Sequence, residues 1–552
     1  MHQTESPITP PSRQLIWVAL LVVVGIAWIV GQYFWWQEYA FPYGPQIGYE
    51  AAKFGRSMAN DDWSDVYSHI TFCRYYPPLY EMLLGATHAV LGFQLHNTLL
   101  LNIVFAFFTA LAMYLLTRKL ADDYAAAMAV LLFLSHGMVF ALVRIPVREV
   151  AIMACTAWIL LLLHNRKLLW HPVYTTLFTV VYAFGMLIKW TFPLYTLVPA
   201  LIIFIMLIHH AFTHDSRGRF RAVFLSLFCL LLGFAILAPW YLGVLDLKYL
   251  WASTANDPTP GGPFFRLMYY FHVLGMGSVI GNWSTYILLL LSLPAIVFYR
   301  RRALLPAASL LSGLFFLFVI VHKESRYVLG SIPPLMMLAG MACSLLPRKW
   351  WLRLALFVLV AAAGVYNYVN ISFTAPLLPH SSGDLSPLPA AHCLQQGRQS
   401  TEQIIDYAAA ISHDDKRTVL AWHPLAANKL PFNHDLFDMM IWMGETEDKV
   451  WFSGYDLIQY SLFVKKFDEI ELLIVTDDVW TNPDEEIQEQ MEAWLAFSSS
   501  DWEVKEEVPE RPRRRQEIEA AFDEVKTFPS ECFPTVHLYR KKQTTPDESE
   551  VN

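Results

Sequence analysis

Residues 322–327 read HKESRY, and they sit between the apolar runs SGLFFLFVIV (312–321) and VLGSIPPLMMLAGMAC (328–343). A lysine, a glutamate and an arginine placed between two runs suited to lipid decide how the whole chain is read. Charges so close to hydrocarbon are expensive unless they line a wet cavity or bind something.

The composition around that stretch is that of a membrane protein. Of 552 residues, 55% are hydrophobic and only 16% charged, where soluble domains carry about a quarter charged residues. The formal net charge of −8 says little as a total, because charge is sparse up to residue 370 and dense beyond it. The pattern predicts a polytopic α-helical membrane part followed by a C-terminal soluble α/β domain.

A spanning helix needs about 20 mostly apolar residues. Candidate spans fall near 15–36, 97–116, 123–142, 150–164, 172–188, 192–212, 222–242, 283–298, 304–321, 328–346 and 354–371, about eleven in all. The first is too long for a cleavable signal peptide and no small-residue cleavage site follows it, so it reads as a retained anchor. Short loops with the basic clusters TRK (117–119), NRK (165–167), DSRGRFR (215–221), YRRR (299–302) and PRKWWLR (347–353) alternate along the chain. The positive-inside rule makes that side cytoplasmic. The N-terminus is then cytoplasmic, and the loops 37–95 and 243–282 and the C-terminal region face outward.

The outward side holds isolated charges at helix ends, in RIPVRE (144–149), IKWT (188–191) and HKESRY. Each of Arg144, Arg148, Lys189, Lys323 and Arg326, taken alone, reads equally well as a side chain snorkelling to the interface. Five cations with Glu149 and Glu324 on one face point instead to a shared anionic ligand, and Arg and Lys are the residues that hold phosphate.

The order of features resembles the GT-C glycosyltransferases of the protein O-mannosyltransferase and aminoarabinose-transferase superfamily. PPLY (77–80) resembles that family's (H/K)PPLY element, and R…RE (144–149), IKWT (188–191) and the K-x-x-RY…PPL run (323–335) follow in the family's order. The resemblance implies a sugar carried on a polyprenyl phosphate and moved to a glycan, lipid or protein acceptor on the extracytoplasmic side, in a bacterial inner membrane. It makes Lys189, Lys323 and Arg326 the first candidates for the phosphate, then Arg144 and Arg148 with Glu149, and has Tyr327 and the prolines after it shape the helix start.

The first outer loop departs from the family pattern. Where the family carries an aspartate that activates the acceptor or binds a metal, this chain reads Gly44, Pro45, Gln46; Tyr76 stands where His or Lys is usual. Glu50 is the nearest acid and the first candidate base, although Glu50 with Lys53 is also an ordinary i,i+3 helix pair. Asp61, Asp62 and Asp65 follow as candidates, in a DDWSD stretch equally suited to capping. The departure leaves a second reading, a non-catalytic accessory protein that binds a lipid-linked sugar. A transporter is disfavoured by the lack of an internal hydropathy repeat.

No recognised metal-ligand spacing occurs, which leaves a divalent metal open as cofactor. The loop segment FFRLMYYFHVLG (264–275) reads as an interfacial amphipathic helix. Residues 373–400 read as a Pro/Ser-rich linker. The stretch 401–545 reads as the α/β domain, with strands at RTVLAW, IELLIVTD, WEVKEEV and TVHLYRKK and a helix at RRRQEIEAAFDEVKTF. RPRRR (511–515) lies among acidic neighbours and does not indicate nucleic acid. Cys155, Cys229 and Cys343 fall within spans, whereas Cys393 and Cys532 are the best candidates for an extracytoplasmic disulfide.

Overall fold

The computed structural model describes residues 11–39, 45–72, 76–94, 96–165, 168, 170–214, 216–245, 283–319, 325–373, 391–412, 418–422, 450–453, 472–476, 519–529 and 535–542. The chain divides into two compact units: Met1–Ala40 with Lys53–Ala390, and Ala391–Asn552 with Phe41–Ala52. The first outer loop is thus divided between them.

The first unit is helical. Its elements are α1 (Pro11–Tyr39), the end of α2 (Pro45–Ala59, whose residues up to Ala52 belong to the second unit), α3 (Trp63–Phe72), α4 (Leu79–Leu91), α5 (His96–Leu120), α6 (Asp123–Leu134), α7 (Gly137–Val143), α8 (Arg148–Leu163), α9 (Pro172–Ile188), α10 (Pro193–His214), α11 (Ser216–Gly243), α12 (Trp283–Tyr299), α13 (Leu304–Val319), α14 (Ile332–Cys343) and α15 (Trp350–Phe373). Every segment expected to span contains a helix. Among the described residues four helices are long and apolar enough to cross a membrane, or five if the bent pair α6 and α7 counts as one span.

That pair replaces the single helix expected over 123–142. The chain bends by 58° between α6 and α7. At the break α15 crosses Ser135 so closely that a Cβ on Gly364 would collide with the Ser135 hydroxyl oxygen. Asn367 Nδ2 donates to the Ser135 carbonyl at 2.9 Å. A backbone carbonyl freed inside an apolar region needs such a partner.

At its other end α6 is capped by Asp122, whose Oδ1 accepts the Ala125 N–H at 2.7 Å. Small residues then let a neighbour approach. Ala125, Ala126, Ala127 and Ala129 are fully buried, and a Cβ on Gly340 of α14 would lie 2.5 Å from the Ala125 carbonyl oxygen. Small-residue faces of this kind are how apolar helices pack where no hydrophobic drive separates them from lipid. The prolines Pro333 and Pro334 open α14 in its first turn, where a missing N–H costs nothing.

In the second unit, helix α16 (Ala391–Ile411) precedes strands β1 (Thr418–Trp422), β2 (Val450–Ser453), β3 (Leu472–Thr476), β4 (Phe522–Phe528) and β5 (Val536–Lys541). They form one mixed sheet in the order β2-β1-β3-β5-β4. β1 runs parallel to β2 and β3, whereas β5 is antiparallel to β3 and β4. Leu472, Leu473 and Ile474 of β3 are buried.

Two expectations are corrected here. Helix α16 begins at Ala391, inside the stretch read as linker, where the prolines end and Ala391, Leu394, Gln395, Gln396, Arg398 and Gln399 supply good helix formers. Residues 522–528 form a strand, not the end of a helix. Phe522 and Phe528 are buried at its two ends, and pairing with β5 overrides the local helical preference. The expected strand WEVKEEV, the loop segment 264–275 and Cys532 lie outside the described residues, as does the Cys393 side chain. Cys155 and Cys343 are buried free thiols.

Gly340→Val is expected to lower stability by about 1–3 kcal/mol through overpacking, whereas Gly25→Val, with nothing within 4 Å of its Cβ position, should be near neutral. Unfolding followed in detergent checks both, and equal midpoints would contradict the close α6–α14 contact.

Candidate functional site

Charged side chains from four separate parts of the first unit meet in its interior. Glu81 lies in the first turn of α4, directly after Pro77 and Pro78. Arg148 and Glu149 open α8, whose N-cap Val147 offers no side-chain cap. Lys189 is the residue at which α9 stops, in extended conformation. Arg326 and Tyr327 belong to the 3-10 turn Ser325–Ser331.

The arrangement is a chain of ion pairs. Arg148 Nη2 donates to Glu81 Oε1, and Lys189 Nζ donates to Glu149 Oε1. Arg326 Nε lies 3.7 Å from the same Glu149 oxygen. Glu149 also sits in the first turn of its helix, where the macrodipole favours a negative charge. Among the described residues three cations thus meet two carboxylates, an excess of one positive charge. Lys189 and both carboxylates are almost entirely enclosed, whereas the Arg326 side chain is 29% exposed. Arg326 is therefore the cation at the rim.

Aromatic rings fill the space between the cations. Arg148 lies over the Tyr76 ring at 4.2 Å and Lys189 approaches the same ring at 5.4 Å. Lys189 also lies 4.1 Å from the Tyr327 ring centre. Tyr76, which takes the place of the family's usual His or Lys, is thus the ring two cations share, a contact that stabilises a desolvated cation.

Packing behind the site fixes its loops. Tyr195 donates its hydroxyl to the Tyr327 carbonyl, and Ser309 Oγ donates to the Tyr195 carbonyl at 2.7 Å. Gly330 must be glycine there, since a Cβ would lie 2.6 Å from the Tyr195 ring. Gly185 leaves room in the same way for the Phe192 ring, which would lie 2.5 Å from a Cβ there. The chain can therefore fold back directly after Lys189.

Of the residues singled out from the sequence, Arg148, Glu149, Lys189, Arg326 and Tyr327 come together. Arg144 is directed elsewhere. It is buried, with Nε donating to Gln32 Oε1 at 2.7 Å and Nη2 to Ser372 Oγ at 2.6 Å, and its guanidinium lies 4.0 Å from the Trp35 ring centre. Asp61 and Asp62 are exposed, and Asp62 Oδ1 accepts the Asp65 N–H at 3.0 Å as a cap of α3. Asp65 accepts from Ser57 and Ser68. Lys323, Glu324 and the Glu50 side chain lie outside the described residues. Among the described residues no group of three His, Cys, Asp or Glu gathers as a metal would require.

Glu81 and Tyr76 were not among the sequence candidates. Both lie in YYPPLYE (75–81), and their separation from Arg148 along the chain left no local signal.

With that geometry the fold has counterparts among solved structures. The crystal structure of ArnT from Cupriavidus metallidurans in the apo state is similar over 95% of this chain and 97% of that one, at 13% identity and a TM-score of 0.55. The same protein bound to undecaprenyl phosphate is similar over 96% and 98%, at 13% identity and a TM-score of 0.53. The Archaeoglobus fulgidus oligosaccharyltransferase in complex with Zn and sulfate is more distant, at 12% identity and a TM-score of 0.46 over 83% of this chain and 68% of that one. No protein-family model matches the sequence, and no curated protein matches it. The chain has the fold of the ArnT structures, as the resemblance in the short motifs implied.

Glu81→Gln leaves Arg148 buried without its carboxylate and is expected to cost about 3–5 kcal/mol of stability. Glu81→Gln with Arg148→Gln removes both charges and should recover most of that loss. Denaturant unfolding of the single and double variants reads the difference, and a double variant no more stable than the single one would contradict the pairing.

Proposed function

We infer that the chain is a GT-C-type glycosyltransferase, which takes a sugar from a polyprenyl-phosphate donor and passes it to an acceptor on the extracytoplasmic face of a bacterial inner membrane. The observation that carries this reading is the convergence of Arg148, Lys189 and Arg326 from three separate elements, with Arg326 at the rim. Cations gathered in this way suit an anionic ligand, and a lipid phosphate is the anion a membrane enzyme of this fold meets. The ArnT structure of the same fold holds undecaprenyl phosphate.

In this reading the membrane part has about eleven spans, with the basic loops cytoplasmic and residues beyond 372 outside. The C-terminal α/β region contacts the acceptor. Arg326, at the rim, meets the phosphate first, together with Lys323 of the same HKESRY stretch. Lys189 and Arg148 stand behind it, oriented by Glu149 and Glu81. Transfer breaks the bond between the sugar anomeric carbon and the phosphate oxygen, and the cations stabilise the negative charge that develops on the leaving lipid phosphate. An acceptor oxygen or nitrogen forms the new bond at that carbon, and Glu50 takes its proton. Arg144 has no part in phosphate binding in this reading, because it is buried away from the cluster with its Nε and Nη2 turned to Gln32 and Ser372.

A second reading is supported by one observation, Gly44-Pro45-Gln46 in place of the family's aspartate. A chain without that acid is an accessory protein that holds a lipid-linked sugar and transfers nothing.

Reconstituted proteoliposomes separate the two. Wild type is expected to bind a polyprenyl-phosphate sugar and release free polyprenyl phosphate. Lys323→Ala with Arg326→Ala should weaken binding by about tenfold or more, and Glu50→Gln should bind but stop releasing lipid phosphate. Wild-type binding without turnover on any offered acceptor leaves the accessory reading in place. Wild type that binds no lipid phosphate removes both.

A further inference from the structure

Glu81 and Arg148 belong to different helices, and an ion pair needs both backbones held to a fraction of an ångström. One neutral side chain touches chain neighbours of both. Asn102, in the second turn of α5, is fully buried. Its Oδ1 accepts the hydroxyl of Tyr80, the residue before Glu81, at 2.9 Å. Its Nδ2 donates to the carbonyls of Val143 at 3.1 Å and Ile145 at 2.7 Å.

Those carbonyls lie in the break between α7 and α8. Pro146 has no N–H to continue a helical ladder, and the Val147 N–H turns back to the Ile145 carbonyl at 2.9 Å. The carbonyls at the end of α7 therefore need donors from elsewhere, since water is scarce in an apolar interior. Trp36 Nε1 supplies one to the Arg144 carbonyl at 3.2 Å. Asn102 supplies the other two, so three consecutive carbonyls before Arg148 are each held by a side chain.

An asparagine in an apolar helix is in most proteins just a polar group that found partners. Here its Oδ1 holds the side chain of the residue before Glu81, and its Nδ2 holds the turn that leads into Arg148. No apolar residue of similar size makes those contacts.

We propose that Asn102 is a positioning residue, which sets the Glu81–Arg148 pair in the register that presents Arg148 to the lipid phosphate. The proposal rests on the transferase reading for its ligand but not for its geometry. Without Asn102 the 143–147 turn loses two of these three side-chain hydrogen bonds, and Tyr80 loses its acceptor. Arg148 and Glu81 then relax independently.

The test is a mutant cycle read by retention of labelled polyprenyl phosphate in nanodiscs. Asn102→Ala is made in the wild-type chain and in a Glu81→Gln/Arg148→Gln background, which carries no lone buried charge. Asn102→Ala is expected to weaken binding about tenfold in the wild type and by less than about twofold in the pair-free background. Equal weakening in both backgrounds means a purely structural asparagine and overturns the proposal. If Asn102→Ala does not fold, Tyr80→Phe, which removes a single hydrogen bond, carries the same comparison.

If wild type retains no polyprenyl phosphate, the transferase reading fails and the positioning role is judged on the unliganded protein. The apparent unfolding temperature should then fall further on Asn102→Ala in the wild type than in the pair-free background. The same fall in both overturns the proposal independently of any ligand.

Discussion

Two cations and two carboxylates held out of water around the start of α8, with a third cation at the rim, are the constraint around which the described part of the first unit is organised. Each such ion costs several kcal/mol to desolvate. The neighbouring elements offset part of that cost: Tyr76 and Tyr327 lay rings against the cations, the α8 N-terminus favours Glu149, and Tyr195 grips the turn that carries Arg326.

The two arginines of RIPVRE show how a spacing of four residues separates unlike roles. Arg148 faces the cluster. Arg144 ties its own turn to Gln32 of α1 and Ser372 of α15, while Trp35 hydrogen-bonds the Ser372 carbonyl at 3.0 Å. The first and last long helices of the membrane part are joined through this buried guanidinium. Its burial and its neutral hydrogen-bond partners make it a structural lock and leave the excess charge of the site to the other cations.

Much of this was legible in the sequence because charge inside apolar segments is rare and conspicuous. Arg148, Lys189 and Arg326 stood out for that reason, and apolar run length located a helix at each expected span. What stayed hidden depends on long-range pairing. Glu81 looks like any acid in a helix's first turn until Arg148, 67 residues away, is beside it. Tyr76 read as a lost basic residue, whereas it is the ring two cations share. Asn102 is neutral and sits in an unbroken apolar helix. The strand Phe522–Phe528 was misread for a related reason: EIEAAFDEVK has helical propensity, and only the partner strand Val536–Lys541 decides against it. The bend at Ser135 is set by α15 crossing it, more than two hundred residues later in the chain.

If the excess positive charge at the start of α8 exists to hold a lipid phosphate, a cryo-EM map of the full chain in nanodiscs with added polyprenyl phosphate tests it directly. Phosphate density is expected in hydrogen-bond reach of Arg326 and of Lys189 or Arg148, with the Glu81–Arg148 pair intact behind it. Lipid phosphate seated elsewhere on the protein, with the cluster closed and unchanged, would contradict that role.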